Sequence, residues 1–435
     1  MIDLVDNQRC EEFSKSEIED FLSLANKDIK KLCEENERLL VFPHSLNMSN
    51  DKIELNPLFV VEDYKKESLK VKTGNIMGFI GSNGKRMRIR SRFDKNGDKD
   101  FFLHYMLQKV LSINMFDLNH GSSQDEVLDL LELLFPSFLH KALEQGIYRE
   151  YKRYEHNDAN IRGVIDVSRH IGQNNIPFQG KVAYNTREHT TDNDVMQLIR
   201  HTIEHIKRRQ FGTSLLMDKR DIADDVQLIY SLTSSYNRNE RQRIILKNLR
   251  PVTHPYYTDY RPLQQLCLQI LRQENIMYAD NDNEICGLLF DGAWLWEEYV
   301  ATLLKWKNFT HPKNKERKGG KCIFKNHKGI RYPDFYIENF VLDAKYKKFE
   351  SYDDASGVGR EDIHQLVTYM YMLKSKKSGF VFPITKNSEN RTPLELNGYE
   401  GWMYMYGIEI GNNTDDYEIF CKEMKRAESA FLELI

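Results

Sequence analysis

Apolar residues recur every three to four positions along most of this chain, and every second position in a few short stretches. The first pattern marks amphipathic helices and the second half-buried strands. Helical spacing covers residues 100–111, with Phe101, Leu103, Met106, Leu107 and Val110 on one side. It returns over 125–151, in two stretches separated at Pro136, a residue without an N–H to continue a helix. One or two helices are expected within 16–40, and others over 194–208, 221–236, 262–273, 291–306, 361–373 and 417–434. Alternation at Leu69, Val71, Met87 and Ile89, with an Asn83-Gly84 turn signal, predicts a small antiparallel meander over 68–93. Residues 161–171 read as a short strand or turn followed by a new element, and 379–383 and 402–410 as buried strands. The expected fold is α+β and multidomain. A mixed region with the β meander spans 1–115, a mainly helical region 116–275, and an α/β domain 276–435.

One stretch concentrates candidate chemistry: RYPDFYIENFVLDAKY, residues 331–346. Its apolar runs flank Glu338-Asn339 and read as two strands joined by a tight turn. With those two residues as the turn, Ile337 faces Phe340, Tyr336 faces Val341, Phe335 faces Leu342, and Asp334 faces Asp343. Opposed residues lie about 4.5–5.5 Å apart at Cβ on one face of the sheet. Lys345, two residues beyond Asp343, shares that face. Opposed carboxylates repel unless positive charge lies between them, and a divalent metal with oxygen ligands is the natural occupant. An exposed hairpin with a salt-bridged surface is the plainer alternative. A turn one residue longer would send the acids to opposite faces.

Composition narrows the class. The chain has 435 residues, 40% hydrophobic, enough for two or three domains. Its net charge of −3 gives no global footprint for nucleic acid, so such binding must rest on local patches. The basic clusters at 207–209 and 238–250 read as solvated helix faces. Six cysteines without a CxxC pair argue against a zinc site or a disulfide framework and suit a reducing cytoplasm. No signal peptide or membrane-spanning run is read. GFIGSNGKR fails as a phosphate loop. Gly78 to Gly84 is one residue too long, Arg86 stands where Ser or Thr is required, and the segment lies between strands.

Three further features adjoin the hairpin in sequence. On the helix at 291–306, Ala293, Glu297, Val300 and Leu304 share a stripe, which places Glu297 in an apolar face and Glu298 closer to solvent. A buried carboxylate needs a partner, either a base or a metal. Residues 305–331 hold ten Lys or Arg against one acid, Glu316, a basic loop suited to a phosphate backbone. On the helix at 361–373, Asp362, Gln365 and Tyr369 form a polar stripe apart from the apolar face of Ile363, Leu366, Val367 and Met370.

Taken together, the acid at Glu297, Pro333-Asp334, Asp343-Ala344-Lys345 and Gln365-Leu366-Val367-Thr368-Tyr369 resemble the PD-(D/E)xK nuclease superfamily, the last matching the Q-x-x-x-Y motif of its RecB-like branch. Leu295-Trp296-Glu297-Glu298-Tyr299-Val300, Ile161-Arg162-Gly163-Val164-Ile165-Asp166 and Phe102-Leu103-His104-Tyr105-Met106-Leu107 resemble the McrC family of modification-dependent restriction systems, including LlaJI-type relatives, over roughly residues 60–385. That resemblance implies Mg²⁺-dependent hydrolysis of DNA phosphodiesters, with Mn²⁺ as a substitute. It implies that Asp334, Asp343, Glu297 and the Ala344 carbonyl hold the metal. Lys345, Gln365 and Tyr369 would serve the reacting water and phosphate. It implies double-stranded, modified DNA as substrate and an McrB-type AAA+ GTPase as partner, docked by residues 1–275. Two other readings stay open: a non-catalytic adaptor that clamps DNA, and a partner-independent nuclease.

Overall fold

The computed structural model describes residues 2–8, 11–36, 39–43, 56–65, 68–82, 85–94, 100–111, 123–173, 177–209, 212–276, 286–314, 319–348, 358–385, 393–397, 400–411, 414 and 416–435. The turn signal at 83–84, the polar break at 279–284 and most of the acidic loop at 351–359 fall outside them. Among the described residues no helix is long and apolar enough to cross a membrane.

The chain forms two compact units. One joins Met1–Val127 to Asn281–Ile435, and the other is Leu128–Asp280. This redraws the three expected parts, because the two ends of the chain share a sheet. Strand Cys286–Asp291 lies between Ile76–Ser82 and Leu39–Phe42, antiparallel to the first and parallel to the second. Lys85–Arg90 and Ile2–Val5 complete that five-stranded sheet. The close approach needs glycine at position 78, since a Cβ there would lie 2.1 Å from the Leu288 carbonyl oxygen. Of the residues tested as a phosphate loop, 78–82 and 85–86 are therefore sheet. The expected meander is divided: Ser68–Thr73 pairs instead with Glu11–Ser14 and Phe59–Lys65 in a separate three-stranded sheet.

The second sheet of this unit has the order Phe335–Ile337, Phe340–Ala344, Lys377–Ile384, Gly401–Glu409, Leu394–Leu396. Its three central strands are parallel, and its two outer pairs are antiparallel. Helix Arg360–Leu373 makes the crossover between the first two parallel strands. Leu366 and Met370 from that helix join Val341, Phe380 and Phe382 in one apolar core. Helix Gly292–Leu304 buries Leu295, Trp296, Tyr299, Val300 and Leu303 and starts on Asp291, whose side chain accepts from the Ala293 and Trp294 amides.

The other unit is helical with a three-stranded sheet, in which Val182–Thr190 pairs with Glu150–Asp158 and Val164–Ile165. Helix Ser123–Glu144 runs through Pro136 without the expected break. Leu133, Leu134, Phe135 and Leu139 on both sides of the proline are buried, so packing outweighs the lost hydrogen bond. The basic clusters are locally paired: Arg209 with Glu132, Lys247 with Asp194, Arg243 with Glu240.

Candidate active site

The site is built at the mouth of the hairpin. Phe335 pairs with Leu342, Tyr336 with Val341 and Ile337 with Phe340, the register expected from a Glu338-Asn339 turn. Asn339 takes the left-handed conformation that closes it, at φ 59°. Asp334 lies just outside the paired strand, and its Oδ2 accepts from the Ala344 amide at 2.8 Å. Asp343 is completely buried. Its Oδ2 lies 2.7 Å from Lys345 Nζ, and its Oδ1 has no hydrogen-bond partner.

Lys345 gathers the remaining groups. Its ammonium donates to Gln365 Oε1 at 3.2 Å and lies 3.5 Å from Asp362 Oδ1. Gln365 donates to the Tyr369 hydroxyl at 2.8 Å, which in turn donates to the Tyr332 carbonyl at 3.1 Å. The polar stripe of helix Arg360–Leu373 thus faces the hairpin acids. Asp362, outside the expected set, belongs to the cluster and also binds Lys347 at 2.6 Å.

The electrostatics follow from crowding. Burial, then the charges of Glu297 and Asp343, push Asp334 well above the usual carboxylate range, against Lys345 and the Ala344 amide. Burial also raises Asp343, although Lys345 opposes it. Burial would lower Lys345, but Asp343 and Asp334 outweigh it and hold the ammonium charged. The Tyr369 phenol is pushed up to about 12, chiefly by burial. Both acids are raised by burial and by neighbouring carboxylates, Asp334 by Glu297 and Asp343, and Asp343 by Asp362, which marks a site short of positive charge.

Glu297 borders this pair. Its side chain is 25% exposed, and its Oε1 lies 3.9 Å from His311 Nδ1. The same His311 nitrogen donates to the Asp334 carbonyl at 2.8 Å. The expected stripe needs correction, because Ala293 is exposed and Glu298 is not nearer solvent. Glu298 is 21% exposed and binds Lys313 at 2.6 Å. Burial alone would raise its pKa, but His311 and Lys313 bring it down to about 2. His311 had no local sequence signal. It reaches the site because Thr310 pairs with Tyr336 across an isolated bridge.

Among the described residues no group of three His, Cys, Asp or Glu is arranged to hold a metal ion. The chemistry of the donors nevertheless suits a hard cation: two facing carboxylates, one with a buried, unpartnered oxygen, and a third nearby. The structure therefore brings together Asp334, Asp343, Lys345, Gln365 and Tyr369, with Ala344 bound through its amide and Glu297 at the border.

The model of the McrBC 5-methylcytosine restriction system component family matches residues 71–383. No curated protein matches the chain. Among solved structures, the chain is similar at 16% identity and a TM-score of 0.49 to one from Thermococcus gammatolerans, described as a half-complex of McrB AAA+ hexamers with bound McrC, with all of both chains covered. A second, the Thermococcus gammatolerans McrBC complex, is 16% identical with a TM-score of 0.32, covering 70% of this chain and 87% of that one.

Proposed function

The chain belongs to the family of the McrBC 5-methylcytosine restriction system component, and on that footing we propose that it is the Mg²⁺-dependent DNA endonuclease subunit of such a system. The observation that carries this reading is the acidic pair: a fully buried Asp343 with an unpartnered oxygen, beside Asp334, Lys345 and Gln365. Asp334, Asp343, the Ala344 carbonyl and Glu297 offer an all-oxygen set that fits Mg²⁺, with Mn²⁺ as a substitute. When bound, the ion would polarise a phosphodiester and lower the pKa of a water. Lys345, steadied by Asp343 and Gln365, would offset charge that builds on the phosphate in the transition state. Gln365, fixed between Lys345 and Tyr369, would orient the attacking water. Tyr369 stays protonated at neutral pH, so its hydroxyl keeps the Tyr332 carbonyl, and with it the approach to Asp334, in place.

We assign nucleotide hydrolysis to a separate McrB-type AAA+ GTPase. The family is one of system components, and the stretch nearest to a phosphate loop is committed to paired strands. The inserted unit exposes apolar side chains that a docked partner could cover, among them Val164, Val167 and Phe178 at 78%, 63% and 71%.

The test is plasmid cleavage with Mg²⁺, on DNA with and without 5-methylcytosine, comparing the native chain with Asp343→Ala, each with and without the partner GTPase and GTP. Cutting by the native chain alone, and only with partner and GTP, is the expected result. Cutting without a partner that Asp343→Ala abolishes would keep the site and discard the partner. Raised GTP turnover without any cutting would make the chain an adaptor.

A further inference from the structure

Between the site helix and the acidic hairpin lies a second, smaller hairpin. Lys321 pairs with Arg331 and Cys322 with Ile330. Beyond them the Ile323 amide donates to the Gly329 carbonyl at 3.1 Å, and the Phe324 amide to Lys328 at 3.2 Å. The tip closes at His327, which donates from its amide to the Phe324 carbonyl at 3.1 Å and has φ 60°. Gly329, at φ 70°, is required for this closure, since a Cβ there would come within 2.5 Å of Ile323 and 3.0 Å of the Phe324 ring. Residues 321–331 of the basic stretch therefore form a ribbon.

Its composition is one-sided. Residues 321–331 hold Lys321, Lys325, Lys328 and Arg331 and no acid, and all four are exposed. Among the described residues none of the four makes an ion pair with a carboxylate. At the tip the Phe324 ring is 61% exposed, an uncommon place for a large apolar group amid cations. The ribbon is tied to the site. Lys321 Nζ lies 5.6 Å from the Tyr336 ring centroid, and Arg331 is three residues from Asp334, at most about 10 Å of chain.

We propose that this ribbon grips duplex DNA beside the cutting site, its cations on the phosphates and Phe324 against the bases or sugars of a groove. The proposal rests on the endonuclease reading and adds the element that holds the substrate. Cations near a phosphate backbone give salt-dependent affinity, about 0.9 in log–log slope for each phosphate neutralised. An apolar wedge adds contact that salt does not screen.

The test uses the full chain and a short fluorescein-labelled DNA duplex, with EDTA to prevent cutting and binding followed by anisotropy across a salt series. Lys325→Ala/Lys328→Ala should weaken binding about tenfold or more and reduce the slope by up to about 2. Phe324→Ala should weaken binding by up to about tenfold with the slope unchanged. All three positions are exposed, and unchanged melting of the variants confirms that the fold is intact. Native affinity and slope in both variants, no DNA binding by the native chain, or stronger competition by an RNA duplex of the same sequence would overturn the proposal. Cleavage by native chain and Asp343→Ala is scored separately with the partner and GTP. Ribbon-dependent binding without cutting would sink the nuclease reading alone, and Asp343-dependent cutting with ribbon-independent binding would sink the ribbon alone.

Discussion

Helix Gly292–Leu304 stands between two buried carboxylate sites that are built on opposite terms. On one side, Tyr299 and Tyr105 donate their hydroxyls to Glu428 Oε1, each at 2.8 Å, and Lys109 donates to Oε2 at 2.8 Å. Glu428 takes three donors from two helices, Phe101–Leu111 and Gly292–Leu304. On the other side, Asp334 and Asp343 crowd together, and Asp343 Oδ1 has no donor at all. A satisfied carboxylate fastens elements together, whereas a crowded, under-satisfied one is held there by the surrounding fold and is ready to bind something positive. The contrast suits Glu428 to stability and the aspartates to the chemistry proposed for them.

The largest test of that contrast is Asp343→Asn. Because folding raises the Asp343 pKa, the folded state binds this proton more tightly than the unfolded chain. The ionised group therefore costs stability above its folded pKa and costs nothing below the unfolded value. Neutralising it should leave the urea midpoint unchanged or higher at neutral pH. Cleavage with partner and GTP should fall about 10³-fold or more, several kcal/mol of transition-state stabilisation. A lowered midpoint would mean that Asp343 holds the fold together, and the contrast would fail.

Glu428→Ala should show the converse. It strands Lys109 and two phenols, and a loss of about 3 kcal/mol is expected in urea unfolding with the m-value unchanged. Residual folded protein should cut at close to the native rate. Loss of cutting at full stability would mean that Glu428 serves the site.

The two sites also differ in how far the sequence reveals them. The acidic hairpin is legible because a two-residue turn fixes the register and period two then places Asp334, Asp343 and Lys345. The stripe Asp362, Gln365, Tyr369 is legible from helical spacing. Glu428 is not, since its donors come from residues 105, 109 and 299, linked only by tertiary packing. His311 is hidden for the same reason. Helical spacing counted from Ala293 misplaces Glu297 and Glu298, because Ala293 is a small residue with little to gain from burial and is exposed. Leu295, Trp296, Tyr299 and Leu303 set the buried face instead. The union of the chain ends was hidden because Cys286–Asp291 pairs with strands more than 200 positions earlier.

The smallest test uses Glu298, an acid one residue from Glu297 that resembles Glu428 in being paired. Folding lowers its pKa from 4.5 to about 2, as Lys313 and His311 overcome the cost of burial. The sign is opposite to that of Asp343: its stabilisation is complete above about pH 4.5 and is lost as pH falls towards 2. With a fifth of the side chain exposed, solvent screening reduces the effect to about 1–2 kcal/mol. Glu298→Gln should therefore lie below the native chain by that amount at pH 7, and the gap between the two unfolding curves should narrow as pH drops from about 4.5 towards 2. A gap that does not narrow between pH 4.5 and pH 2 would mean that Glu298 contributes through packing rather than charge. Only the crowded pair at Asp334 and Asp343 would then owe its behaviour in this region to electrostatics.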